Sequence, residues 1–265
     1  MRLFLFLTCY FTILTCYSQD AYKKRYYVPS STKYVEYVLD SGTGTYVKDT
    51  AIVVLEKQGG GDIDQALAAI FASKPKLKGN VAFGKDADAN KVYVNLWLTK
   101  NPSGAYIARS QVYQFELQNR QSLNLSFKQW SLNALTVPIK VRFGDENEWS
   151  TGANLGALFG HTWGTTKFLH RTGIENQTFE TKWTFGLFLG ADKLEFTIES
   201  SVGDDDEKVK TGVISTGLGL TFSYQKFTGG LVAGIDSGVG PDRLEWDYHN
   251  NFFFGLGAGY SLFSF

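Results

Sequence analysis

Hydrophobic and polar residues alternate with a period of two through the second half of this chain. Along Gly212–Tyr224 the even positions are Ile214, Thr216, Leu218, Leu220, Phe222 and Tyr224, and the odd positions are Val213, Ser215, Gly217, Gly219, Thr221 and Ser223. Phe252, Phe254, Leu256, Ala258, Tyr260 and Leu262 alternate in the same way with Phe253, Gly255, Gly257, Gly259 and Ser261. This is the pattern of strands with one apolar face. Glycine at most positions of the second face weakens a strand in a soluble sheet but suits the narrow interior of a small barrel. The same alternation predicts strands at Leu123–Lys128, Leu135–Phe143, Ala153–Gly160, Trp183–Gly190, Leu194–Glu199 and Phe227–Asp236, eight in all. After the first 18 residues there is no run of 18 apolar residues for a membrane helix, and the other way to span a bilayer is a closed barrel. The expected fold class is therefore all-β: an antiparallel transmembrane β-barrel of about eight strands, with a small α/β N-terminal region.

The connections predict an orientation. Those at Gly144–Trp149, Ala191–Lys193 and Tyr224–Lys226 are short, and those at Trp163–Lys182, Gly203–Lys210 and Ser237–Asn251 are longer. They alternate as periplasmic turns and extracellular loops do, which places the C-terminus on the periplasmic side. A short hairpin near Ser131–Ala134 breaks the rule. In this reading Leu123, Leu125, Phe127, Leu135 and Val137 face outward with Ile139, Val141 and Phe143. Pro138 donates no ladder bond and marks a local bulge. Trp130, Trp149, Trp163, Trp183, Tyr224 and Tyr260 fall near strand ends, where interfacial aromatics belong.

The first half is more mixed. Asp62–Ala72 reads as a helix with Asp62 as N-cap. Val35–Leu39, Ala51–Leu55, Lys91–Leu98 and Tyr106–Leu117 read as strands. They form either a small periplasmic or lumenal module over 19–120 or extra strands of a ten- or twelve-stranded barrel; the surface-like turns at Asp86–Lys91 and Lys100–Gly104 favour the module.

Composition adds the compartment. Arg2, the apolar stretch Leu3–Tyr17 and the small residues before Gln19 predict a secretory signal peptide over 1–18, cut after Ser18. The competing readings are an N-terminal anchor and a lipoprotein cut before Cys16. Both cysteines, Cys9 and Cys16, lie in this segment, so the mature chain holds no thiol chemistry. Of the 26 basic residues only Arg2 is removed, leaving 25 against 26 acidic, which argues against a nucleic-acid partner.

Charged residues predicted to face inward are Lys128, Lys140, Arg142, Lys193, Glu195, Glu199 and Asp236. Of these, Lys128, Lys140, Arg142, Glu195, Glu199 and Asp236 are the candidate lumen charge network, because charges inside a narrow barrel must pair or be hydrated. Asp204, Asp205, Asp206 and Glu207 read as a solvated hairpin tip without the spacing of a calcium loop. His161, His170 and His249 are placed at the outer rim, with no spacing that pairs them with a nucleophile. No zinc motif, phosphate loop or nucleophile elbow occurs, so no catalytic residue, metal or cofactor is assigned.

The segments Gly257-Ala258-Gly259-Tyr260-Ser261-Leu262-Phe263 and Thr136-Val137-Pro138-Ile139-Lys140-Val141-Arg142-Phe143, with a signal ending in Ser-Gln, resemble small outer-membrane β-barrel proteins of the Bacteroidota. The resemblance covers 121–265 and carries no functional residue. Phe265 looks like the C-terminal aromatic that barrel-assembly machinery reads, although it sits out of register with the greasy face ending at Leu262. The resemblance implies outer-membrane lipid and that machinery as partners. Three functions are expected in order: a structural or interaction barrel with a mostly packed lumen, a small-solute or lipid channel, and a rim-acting hydrolase.

Overall fold

The computed structural model describes residues 24–39, 42–97, 99–100, 104, 106–107, 111–144, 147–150, 154–198, 207–240 and 246–264. The expected signal segment, Glu199, Asp204–Asp206 and Phe265 lie outside them. The first half carries β1 (Arg25–Pro29), β2 (Ser31–Leu39), β3 (Tyr46–Lys57), α1 (Gln65–Ser73), β4 (Lys76–Phe83), β5 (Lys91–Leu96), the short β6 (Thr99–Lys100) and β7 (Tyr106–Ile107), and β8 (Tyr113–Glu116). The second half carries β9 (Ser122–Arg142), β10 (Glu148–Ser150), β11 (Asn154–Leu169), β12 (Gln177–Ile198), β13 (Glu207–Tyr224), β14 (Phe227–Val239) and β15 (Asn251–Ser264). The fold is all-β, its strand pairings are antiparallel, and no described helix is long and apolar enough to cross a membrane.

Strand β9 organises the sheet. One of its edges pairs with β11, from Leu169↔Ser122 to Asn154↔Val137. The other edge pairs with β15, from Ser264↔Ser131 to Phe253↔Arg142. Pairings β11–β12, β12–β13, β13–β14 and β14–β15 link these two neighbours, so the path leaves β9 on one edge and returns to it on the other. Six long strands lie on this path, not the eight expected. The hairpin expected at Ser131–Ala134 is absent: Asn133 pairs with both Leu158 and Ser261, and Ala134 with both Ala157 and Tyr260, so the ladders run straight through. The turn expected at Ala191–Lys193 is absent for the same reason, since Ala191, Asp192 and Lys193 pair in order with Ile214, Val213 and Gly212.

The two ends of these strands differ. At the distal end β9, β12 and β14 finish at Arg142, Ile198 and Val239, and β10, β13 and β15 start at Glu148, Glu207 and Asn251, so the connections between them leave from there. At the proximal end lie the turn at Gln225–Lys226, the connection 170–176 and the end of β15. Gly144–Trp149 therefore joins the distal connections and Trp163–Lys182 the proximal one, the reverse of the expectation for each.

Just beyond the end of β15, β1 takes over the same edge of β9 through Arg25↔Lys128, Tyr26↔Phe127 and Tyr27↔Ser126. The sheet then continues as β1-β4-β5-β8-β3-β2. One face of this extension holds an ordinary core in which Val28, Leu55, Leu67, Val92, Val94 and Phe115 pack with Leu123, Leu125, Phe127 and Phe168 of the long strands. Leu123, Leu125 and Phe127 thus face inward, contrary to expectation, because the proximal ends of β9 and β11 roof the core on which α1 packs. Residues on both sides of the boundary expected at 120 share that core. Helix α1 begins at Gln65, not after Asp62. Asp64 keeps an extended ψ of 145° and pairs with Lys57 at 2.5 Å, while Ile63 packs against the core.

Candidate functional site

The long strands are inside out. Phe185, Leu187, Leu189, Leu218, Leu220, Phe222, Leu231, Ile235, Phe252, Phe254 and Leu256 are exposed, with Leu187 at 67%. The opposite face buries Lys140, Arg142, Asp236, Asn154, Gln129, Asn133, Ser215 and Thr221. Soluble proteins rarely expose a contiguous apolar surface of this extent.

Read from the proximal end, the buried face passes through three levels. The first is polar: the Ser131, Thr162 and Thr184 hydroxyls share hydrogen bonds at 2.5 and 2.7 Å, Ser223 meets Thr228 at 2.8 Å, and Lys182 donates to Ser261 at 3.0 Å. The second is an apolar cluster of Leu135, Val137, Leu158, Phe188, Val232 and Phe253. The third is ionic. Lys140 Nζ donates to both oxygens of Asp236 at 3.0 Å and Arg142 Nε to its Oδ2 at 2.8 Å, while the Ser215 hydroxyl donates to Oδ1 at 2.6 Å. Asn154 Nδ2 donates to Ser215 Oγ at 2.7 Å.

Glycine makes the middle level possible. A Cβ on Gly156 would come within 2.6 Å of the Phe188 ring, and one on Gly190 within 2.8 Å of the same ring. Gly160 and Gly186 stand opposite each other in the β11–β12 ladder, and a Cβ on either would strike the neighbouring backbone.

Of the six network residues read from the sequence, the fold brings three together: Lys140, Arg142 and Asp236. Their meeting depends on Pro138. Leu256 pairs with Ile139 but Ala258 with Thr136, so two residues of β9, Val137 and Pro138, face the single Gly257. This bulge exposes both Pro138 and Ile139 and inverts the alternation: odd residues are buried up to Val137, and Lys140 and Arg142 are buried after it. Leu135 and Val137 consequently face inward, correcting the outward placement. Lys128, on the proximal side of the bulge, is exposed rather than inward, its Nζ 5.8 Å from the centre of the Tyr27 ring. Lys193 is also exposed, because Asp192 takes the inward position. The backbone of Glu195 pairs with Lys210; its side chain, and Glu199 altogether, lie outside the described residues. A second slip in the ladder, between Ser261 and Phe263, accommodates Leu262 as an extra residue.

Three partners of the ionic level escaped the sequence reading. Asp192 approaches Arg142 at 4.0 Å and Glu148 bonds it at 3.2 Å. Asp192 continues the inward series Thr184, Gly186, Phe188 and Gly190, a signal that its turn-like neighbours masked. Trp246, in the distal connection, is buried with its ring centre 5.2 Å from the Arg142 guanidinium carbon. A lone tryptophan in an otherwise polar loop was the available hint.

The histidines do not gather at one rim. His161 sits on the exposed face between Trp130 and Trp163, His170 bonds Asn176 at the proximal end, and His249 Nδ1 accepts from the Gly238 amide at the distal end. Among the described residues no group of acidic, His or Cys side chains has the arrangement of a metal site. No protein-family model, curated protein or solved structure matches the chain.

Proposed function

We propose that this chain is an outer-membrane β-barrel protein with a structural or interaction role, its six long strands spanning the bilayer around a packed interior. The observation that carries this reading is the inverted polarity of those strands. On β12 the exposed residues Trp183, Phe185, Leu187, Leu189 and Ala191 cover eight steps of strand, about 27 Å along its axis. Tilted by about 35–45°, that length rises about 19–22 Å, most of the apolar band of about 25 Å on such barrels. Trp163, Trp183, Phe222, Tyr224, Phe227 and Tyr260 border the band proximally, and Phe143, Trp149 and Phe252 distally, all exposed. The tight Gln225–Lys226 turn fits a periplasmic proximal end, and the 11-residue connection 240–250 an extracellular distal one.

A packed interior favours this role over a channel. Water crossing from the polar proximal level to the ionic distal level would have to pass the apolar cluster around Phe188. Membrane fractionation, a heat-modifiability gel shift and planar-bilayer recording test the proposal together. The expected results are retention in the membrane, a folded band that shifts on boiling, and no open-channel steps. A chain that stays soluble without detergent overturns the barrel, and steady conductance overturns the packed interior.

A further inference from the structure

One cross-strand row on the exposed face changes character along its length. Phe222 pairs with Trp183, Trp183 with Trp163, Trp163 with Lys128, and Lys128 with Arg25. Three aromatics of the long strands are thus followed, at successive strand spacings of about 4.8 Å, by two cations at the junction with β1. A cleft of about 410 Å³ lies along this row, lined by Tyr27, Lys128, Trp163, Thr181, Trp183 and Phe222.

The charge on this face is one-sided. Lys128, Arg25 and Lys167 are exposed, and among the described residues neither Lys128 nor Arg25 has a carboxylate partner. Glu180, the nearby acid, is held by Lys24 and by Lys182 at 3.3 Å. The cations lean on rings: Lys128 lies over Tyr27, and the Arg25 guanidinium carbon is 5.7 Å from the centre of Trp97. These geometries hold their charge beside the cleft on side chains that remain exposed.

We propose that this cleft binds one anionic phospholipid of the proximal leaflet, its phosphate against Lys128 and Arg25 and its first acyl carbons along Trp163, Trp183 and Phe222. The inference rests on the membrane-spanning reading of the long strands. Charge complementarity selects the lipid: a zwitterionic headgroup brings its own cation and gains less from two basic residues. Each basic residue at a membrane surface is worth roughly a fivefold change in binding to anionic lipid.

The test is tryptophan quenching by brominated lipid. The full chain is reconstituted in phosphatidylcholine vesicles in which a tenth of the lipid is either brominated phosphatidylglycerol or brominated phosphatidylcholine. The wild type is expected to be quenched more strongly by the anionic lipid, with the difference shrinking at high salt. Lys128→Gln with Arg25→Gln is expected to remove the difference while leaving quenching by the zwitterionic lipid unchanged. Equal quenching of the wild type by both lipids, or a difference that survives in the double variant, overturns the site but not the barrel. No quenching by either lipid overturns both.

Discussion

Arg142 on β9 donates its Nε hydrogen to Asp236 on β14 at 2.8 Å, joining two strands that are not neighbours in the ladder. Lys140 and Ser215 share the same carboxylate, and all four groups are buried. Asp236→Ala would strip buried Lys140 of its carboxylate and leave buried Arg142 only Glu148 and the more distant Asp192. The expected cost is about 3–5 kcal/mol, read as a lower denaturant midpoint in vesicles. Adding Lys140→Met and Arg142→Met should recover most of it, because buried ions replaced together by apolar groups of similar size are often tolerated.

The apolar level should act as the seal. Phe188→Ala with Leu158→Ala removes the two largest side chains that β11 and β12 contribute to the cluster. Wild type should show no conductance steps in planar bilayers, and the double variant, provided its heat-shifted band confirms folding, should show them.

Pro138 should matter for the residue count it adds, not for its ring. Deleting it would turn Lys140 and Arg142 toward lipid, at a cost of up to about 2–4 kcal/mol each at the midplane and less toward the interface. Loss of the heat-resistant folded form is expected. Pro138→Ala keeps the bulge and should fold.

The proximal core should weaken in alkali. Burial raises the phenol pKa of Tyr26 above its ordinary value, and burial does the same for Tyr113. A folded-state pKa above the unfolded one means stability that is full below about pH 10 and falls as pH rises through the folded value. Tyr26→Phe with Tyr113→Phe should flatten that fall. The two differ at neutral pH. Tyr26 meets the Thr166 hydroxyl at 3.2 Å, so its loss costs about 1 kcal/mol. Among the described residues the buried Tyr113 hydroxyl has no hydrogen-bond partner, so Tyr113→Phe should be neutral or stabilising.

What the sequence made legible was the strand alternation where it is local. The two faces of Gly212–Tyr224, Trp183–Gly190, Phe227–Asp236 and Phe252–Leu262 are those read from period two, and Pro138 announces its own bulge by lacking an N–H. Strand continuity was not legible. Asn133-Ala134 and Ala191-Asp192-Lys193 have the chemistry of turns, yet pairing on both edges carries the ladders through them. Facing was lost where it depends on distant residues. Leu123, Leu125 and Phe127 look like one more greasy outer face until the first half of the chain supplies a core beneath them. Lys128 shares the even positions of Lys140 and Arg142 in the sequence, but the bulge between them puts it on the opposite face. Asp192 and Trp246 complete the ionic level only through contacts across the fold.

The central claim is that the exposed face of the long strands meets lipid. Past residue 18 the chain has no cysteine, so single spin labels can be placed by cysteine substitution at Phe185, Leu187 and Leu189 of the protein in vesicles. Collisions with oxygen and with a water-soluble nickel chelate then report the local solvent. At all three positions high oxygen and low nickel accessibility is predicted, deepest at Leu187. High nickel accessibility at Leu187 would place that face in water and contradict the account.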